Sequence, residues 1–131
     1  MSILSSIDGE RRIAHFRTQG VVTDDDVLRT LRDAYSRDDY VEGMRTVWDV
    51  REVALKVTPG GIREMASLTA ELAPEVFPTA VITEMALVHG LARMYELIRS
   101  GAKQETRIFR TVEEACAWLE IAPEELPSLD G

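Results

Sequence analysis

The sequence contains a single cysteine, Cys116, among its 131 residues. That excludes an internal disulfide and suits a reducing compartment. Basic charge is scarce, with 15 Lys and Arg against 23 Asp and Glu, for a net charge of −8. A nucleic-acid partner is not expected, because phosphate binding needs concentrated Lys and Arg. Docking on anionic lipid headgroups is disfavoured on the same ground. No apolar run approaches the ~18 residues of a membrane span. Residues 1–12 lack the apolar core of a signal peptide, so a cytoplasmic protein is expected. Internal repeats, low-complexity segments and interior linkers are also missing.

What is present is an ordinary globular composition, 45% apolar and 29% charged, at a length that points to one domain. A chain of this size buries roughly two-thirds of its unfolded surface, so a core needs no staples.

The most informative stretch is Met44-Arg45-Thr46-Val47-Trp48-Asp49-Val50-Arg51. It reads as a central strand with Asp49 and Arg51 at its carboxyl end. Thr46 and Trp48 share one face, Val47 and Asp49 the other. Before it, Ile3–Ile7 and Arg11–Thr18 read as two strands joined at Asp8-Gly9, a hairpin signal. Thr23 is placed as the N-cap of a first helix, with Asp24, Asp25 and Asp26 in its first turn. Three consecutive helical residues do not converge on one point, so capping outweighs a metal site there. Val27, Leu28, Leu31, Ala34 and Tyr35 form the helix's apolar stripe.

Thr58-Pro59 marks a second helix start, followed by Gly60-Gly61. Backbone N–H groups beside two glycines suit an anion; the glycines also suit a plain entry turn. Ile62, Met65, Ala66, Thr69, Leu72 and Ala73 supply this helix's buried stripe, and Pro74 and Pro78 end it. The run Thr79–Thr83 lacks alternation, as in a strand covered on both faces. A third helix is expected over Leu87–Ser100, with Gly101 as its cap. His89 and Arg93 lie one turn apart on it, facing a common rim. Glu105–Arg110 is the last strand. Thr111 with Glu114 gives a capping box for a fourth helix, on whose inner face Cys116 is a small core residue rather than a nucleophile. Past Ile121 the chain is acidic and proline-marked, an irregular and mobile tail. Two units follow: a domain over 1–121 and a tail over 122–131.

Strands alternating with helices imply an α/β fold with a mainly parallel sheet and right-handed crossovers. The strands at Arg11–Thr18 and Arg45–Arg51 mix polar and apolar residues on one face. That face is expected to lack helical cover and to offer a surface for a homodimer.

Three segments carry a family resemblance: Thr46 to Arg51, His89-Gly90-Leu91-Ala92-Arg93-Met94-Tyr95, and Ile108 to Thr111 with Glu113-Glu114-Ala115 and Ala117-Trp118-Leu119. Across Ile3 to about Leu119 the chain resembles the bacterial SpoIIAA-like family, related to STAS domains and to the CRAL-TRIO type of lipid-binding fold. The resemblance implies a βα superhelix with most of its helices on one face. In STAS anti-sigma-factor antagonists a phosphorylatable Ser follows an Asp at the start of the helix after the anchor strand. The matching position here resembles Thr58, preceded by Val57 instead of Asp.

The function expected from these readings is a non-enzymatic regulatory or protein-interaction module, with Thr58 the candidate phospho-acceptor and its partner meeting Thr58, Gly60 and Gly61. The alternative is a carrier of a small amphiphilic or lipid-like molecule, with Asp49, Arg51, Glu84, His89 and Arg93 gathered around an apolar pocket at the strand ends. An enzyme ranks last. Asp49 and His89 make a conceivable base and orienter, but no nucleophile, metal cluster or cofactor loop accompanies them. No cofactor is expected.

Overall fold

A computed structural model of the chain describes residues 2–73, 77–99 and 105–129. The amino-terminal hairpin forms as β1 (Ile3–Asp8) and β2 (Ile13–Thr18). The main sheet continues with β4 (Arg45–Asp49), β6 (Pro78–Ile82) and β7 (Glu105–Phe109), in the order β1-β2-β4-β6-β7. Only the β1–β2 pair is antiparallel. The Trp48 strand therefore lies in the middle, flanked by two parallel neighbours.

A second, two-stranded parallel sheet pairs β3 (Val21–Thr23) with β5 (Ala54–Lys56). Neither segment carries a strand signal in the sequence. Each is three residues long, too short for a periodic signal.

The helices are α1 (Asp24–Tyr35), α2 (Pro59–Leu72), α3 (Ala86–Arg99) and α4 (Val112–Leu119). Thr23 caps α1 through a complete box in which Asp26 is the reciprocal partner. Thr58 caps α2 and Pro59 fills its first position. At α4 the Thr111 hydroxyl oxygen accepts from Glu114 N, but the hydroxyl donates to the Glu114 carboxylate. That carboxylate lies on the cap side chain, where a full box places it on the cap backbone N–H. Pro74, Ser100 and Gly101, assigned roles at helix ends, lie outside the described residues.

Side-chain alternation divides the core between the sheet's two faces. On one, Ala14, Phe16 and Trp48 pack with Val27, Leu31 and Ala34 of α1 and Met65 of α2. On the other, Ile13, Val47, Ala80 and Ile82 pack with Ala115, Cys116 and Leu119 of α4. The strand around Ala80-Val81-Ile82 is thus covered on both sides, as its unbroken apolar run implies.

The second face corrects an expectation. It was to be bare and free for a second copy, yet α4 and the chain beyond it lie across its centre. Ile13 and Val47 are fully buried there. Past α4, residues Pro123–Glu125 form a 3-10 turn, Leu126 packs on the same core, and Leu129 is buried. The His15 ring contacts the carbonyl oxygen of Pro127 at 3.0 Å. A carbonyl only accepts, so Nδ1 carries the proton in that contact. The polar residue that sequence alternation exposed on β2 is thus an anchor for the tail.

Candidate functional site

The candidate residues fall into separate groups. Asp49 ends β4 with its side chain almost fully buried. Its Oδ1 accepts from Arg51 Nε at 2.9 Å and its Oδ2 from Arg51 Nη2 at 2.7 Å. This is a fork-on-fork pair, the strongest form of a carboxylate–guanidinium contact. The hydrogen bonds to Asp49 raise Arg51 above the ordinary arginine pKa. The two residues thus satisfy each other at the strand end.

Thr58, Gly60 and Gly61 form a second group, and here the sequence reading missed a residue. The Asp24 carboxylate of α1 accepts from Thr58 N at 2.8 Å and from the Thr58 hydroxyl at 2.6 Å. The same hydroxyl oxygen accepts from Gly61 N at 3.0 Å. Helix α2 has no acidic residue in its own first turn. The anion that its N-terminus favours comes instead from another helix. A Cβ on Gly61 would run into the Asp24 carboxylate, whereas one on Gly60 would meet only ordinary van der Waals distances. Gly61 is therefore the glycine that lets this carboxylate approach. The signal that links the pair lies 34 residues apart in sequence, beyond any local pattern.

Glu84, His89 and Arg93 are exposed. His89 and Arg93 line one shallow groove between α3 and β7, with Glu96, Glu105 and Arg107. Arg93 there pairs with Glu96 at 3.8 Å. Neither Asp49 nor Arg51 borders that groove.

Between the sheet and helices α1, α2 and α3 lies a different feature, an apolar cavity of about 120 Å³. Phe16, Trp48 and Val81 form part of its floor, Leu31, Met65 and Leu91 part of its roof. Phe16 and Trp48 stack with ring centroids 4.3 Å apart and planes inclined by 12°. At one side the hydroxyls of Tyr35 and Tyr95 both reach the Thr69 hydroxyl, at 3.0 and 3.4 Å. Burial, and then the neighbouring Tyr95, pushes the Tyr35 phenol well above its ordinary value.

The cavity's lining includes none of the polar residues that sequence reading assigned to a pocket. It runs beneath the helices along the strands, not outside the strands' carboxyl ends. Three threonines mark its floor: Thr46 on β4, Thr79 on β6 and Thr106 on β7 are register partners in a row across the sheet. Among the described residues, no cluster of His, Cys, Asp and Glu is arranged to hold a metal ion. No helix among them is long and apolar enough to cross a membrane.

No protein-family model matches the chain, and no curated protein does. Among solved structures it is similar to an uncharacterised protein of the DUF3478 family from Shewanella loihica PV-4, which has a SpoIIAA-like fold. The two share 16% sequence identity at a TM-score of 0.61, over 90% of this chain and 94% of the other. At that identity the likeness establishes the fold, which is SpoIIAA-like, mixed α/β and mainly parallel. It bears on the SpoIIAA-like part of the resemblance and not on the CRAL-TRIO part.

Proposed function

We propose that this chain is a non-enzymatic binding module that holds a small apolar molecule between its sheet and helices α1 to α3. The observation that carries this reading is the cavity itself. Interiors pack to crystal-like density, and voids larger than a water molecule are few. A cavity of about 120 Å³, open to solvent on one side, has room for a molecule of the size that engineered apolar cavities of ~150 Å³ take up, a single benzene ring. Its lining is almost wholly apolar, and among the described residues no charged side chain contributes to it. The occupant is therefore closer to a single ring than to a full lipid chain. Native mass spectrometry of protein purified gently from its source tests the reading. A reproducible added mass, released on denaturation, is expected. A bare mass, together with no thermal shift from any ring-sized apolar molecule, would remove it.

A second reading, a regulatory surface at Thr58, is favoured by the Asp24 clasp. A phosphate on Thr58 would be drawn to the α2 N-terminus and repelled by Asp24. Charge at this one position would then set how α1 and α2 are held together. Amide hydrogen exchange at Gly61 discriminates, because its N–H is held by the Thr58 hydroxyl. Faster exchange in Thr58→Glu than in Thr58→Ala supports a charge-sensitive clasp. Equal rates count against it.

A further inference from the structure

The class of occupant can be narrowed, given the cavity-binding reading above. The chain has three Phe, three Tyr and two Trp, and all of them except Phe109 and Trp118 line the cavity. At the floor their placement has a direction. Phe16, Trp48, Val81 and Ile108 are register partners in a row across β2, β4, β6 and β7. Phe16 and Trp48 stack at 4.3 Å with planes 12° apart, close to the ~4.8 Å between neighbouring strands. The two rings therefore stand upright on the sheet and stack along the strand-to-strand direction. Phe16 takes one face of the indole and is itself 1% exposed. The other face looks along the row toward β6, where the next side chain is only a valine. Among the described residues no second ring packs on that face. Trp48 and Val81 both keep accessible surface, although they sit on inner strands beneath the helices. The cavity borders both of them, so that surface is open to whatever it holds.

We propose that the cavity binds an uncharged aromatic ring in the place above Val81, as a third member of the Phe16–Trp48 stack. Stacked and edge-to-face ring pairs are worth more than the apolar area they bury. The Met65 thioether, which lines the same cavity, also favours contact with a ring. A saturated ring gains only from its area. A cation would be drawn to the indole face. No charged side chain among the described residues lines the cavity to balance it, however, and burying an unpaired ion costs more than the ring returns. The same cost excludes an aromatic carboxylate.

Benzene, cyclohexane and tetramethylammonium separate these cases. Binding to the full chain is followed by thermal shift and by the Trp48 indole resonances. Cyclohexane presents at least as much apolar area as benzene, so area alone has it bind at least as tightly. Stacking reverses that order. Benzene is expected to bind about two- to tenfold more tightly than cyclohexane, and tetramethylammonium is expected not to bind. Val81→Phe supplies the third ring from the chain itself. This variant is expected to fold without loss of stability and to lose benzene binding. The stacking role is overturned if cyclohexane binds as tightly as benzene, or if tetramethylammonium binds. It is also overturned if Val81→Phe is destabilised or still takes up benzene. In each of those cases the cavity reading stands. If none of the three molecules binds the parent chain, the cavity reading fails as well.

Discussion

Asp24 and Thr58 meet across two helices, and one carboxylate holds both the backbone N–H and the hydroxyl of the residue that caps α2. Replacing Asp24 by Ala therefore weakens a cap on the second helix while α1 keeps its own box of Thr23 and Asp26. The expected loss is about 1 kcal/mol, the usual value of a helix cap. Urea denaturation of Asp24→Ala and Thr58→Ala checks it. The two losses should not add in the double variant, because the residues form one unit.

The two adjacent glycines give a sharper contrast. Gly61→Ala drives a methyl group into the Asp24 carboxylate, which can swing away only by giving up its bonds to Thr58, so it should cost about 1 kcal/mol, the value of the cap. Gly60→Ala has room and an unstrained backbone, so it should be neutral or slightly stabilising through the unfolded chain. Adding Asp24→Ala removes the clash together with the cap, so the double variant should be about as stable as Asp24→Ala alone, the two losses not adding. Equal effects at positions 60 and 61 would contradict the close approach described above.

Stability should also depend on His15. Burial lowers its pKa below the ordinary 6.5, and the contact with Pro127 opposes that shift only in part. The folded state then binds a proton less readily than the unfolded chain. The neutral ring's stabilisation is complete above pH 6.5. It is lost as pH falls from there through the lowered folded value, and the loss levels off below it. His15→Gln should flatten this segment of the curve. The measurement is the difference in unfolding free energy between parent and variant from pH 7.5 down to 5. A constant difference would show that His15 is not the group responsible.

Breaking the strand-end pair is the fourth case. Arg51→Ala leaves the buried carboxylate of Asp49 without its fork. Arg51 is 42% exposed, so water replaces part of what is lost. The expected destabilisation is about 1–2 kcal/mol, below the range for a fully buried pair. Asp49→Asn with Arg51 intact should cost less than Arg51→Ala, since it leaves no buried charge. Denaturation midpoints of both variants decide the order.

The features legible in the sequence were those written in neighbouring residues. Thr23 with its acidic first turn, Thr58-Pro59 and Thr111 each announced a helix start, and the apolar stripes gave the buried faces, except that Leu72, at the last residue of α2, is exposed and not buried. The β-branched and aromatic content of residues 44–51 was enough to mark the central strand. Features that depend on distant residues were not legible. Val21–Thr23 pairs with Ala54–Lys56 across more than one intervening element, and neither has a pattern of its own. The Asp24–Thr58 clasp is of the same kind: an acidic first turn reads as capping of its own helix. The cover on the second face was misjudged because His15 and Asp49 look solvent-facing by residue type. Their partners, Pro127 and Arg51, are what make burial tolerable. A cavity is harder still. It is set by where facing side chains fail to meet, and the lining residues have the same apolar pattern as a filled core.

Trp48 stacks on Phe16 at the cavity floor, while Trp118 lies on the opposite side of the sheet against Phe109, with the Arg107 guanidinium over its ring. These are the chain's two tryptophans. Each side of the sheet thus contains one intrinsic fluorophore in a distinct environment. With Trp118 replaced by Phe, emission reports the surroundings of the Phe16–Trp48 stack at the cavity floor. With Trp48 replaced instead, it follows the seating of α4, so the two halves of the core become separately observable without any attached dye.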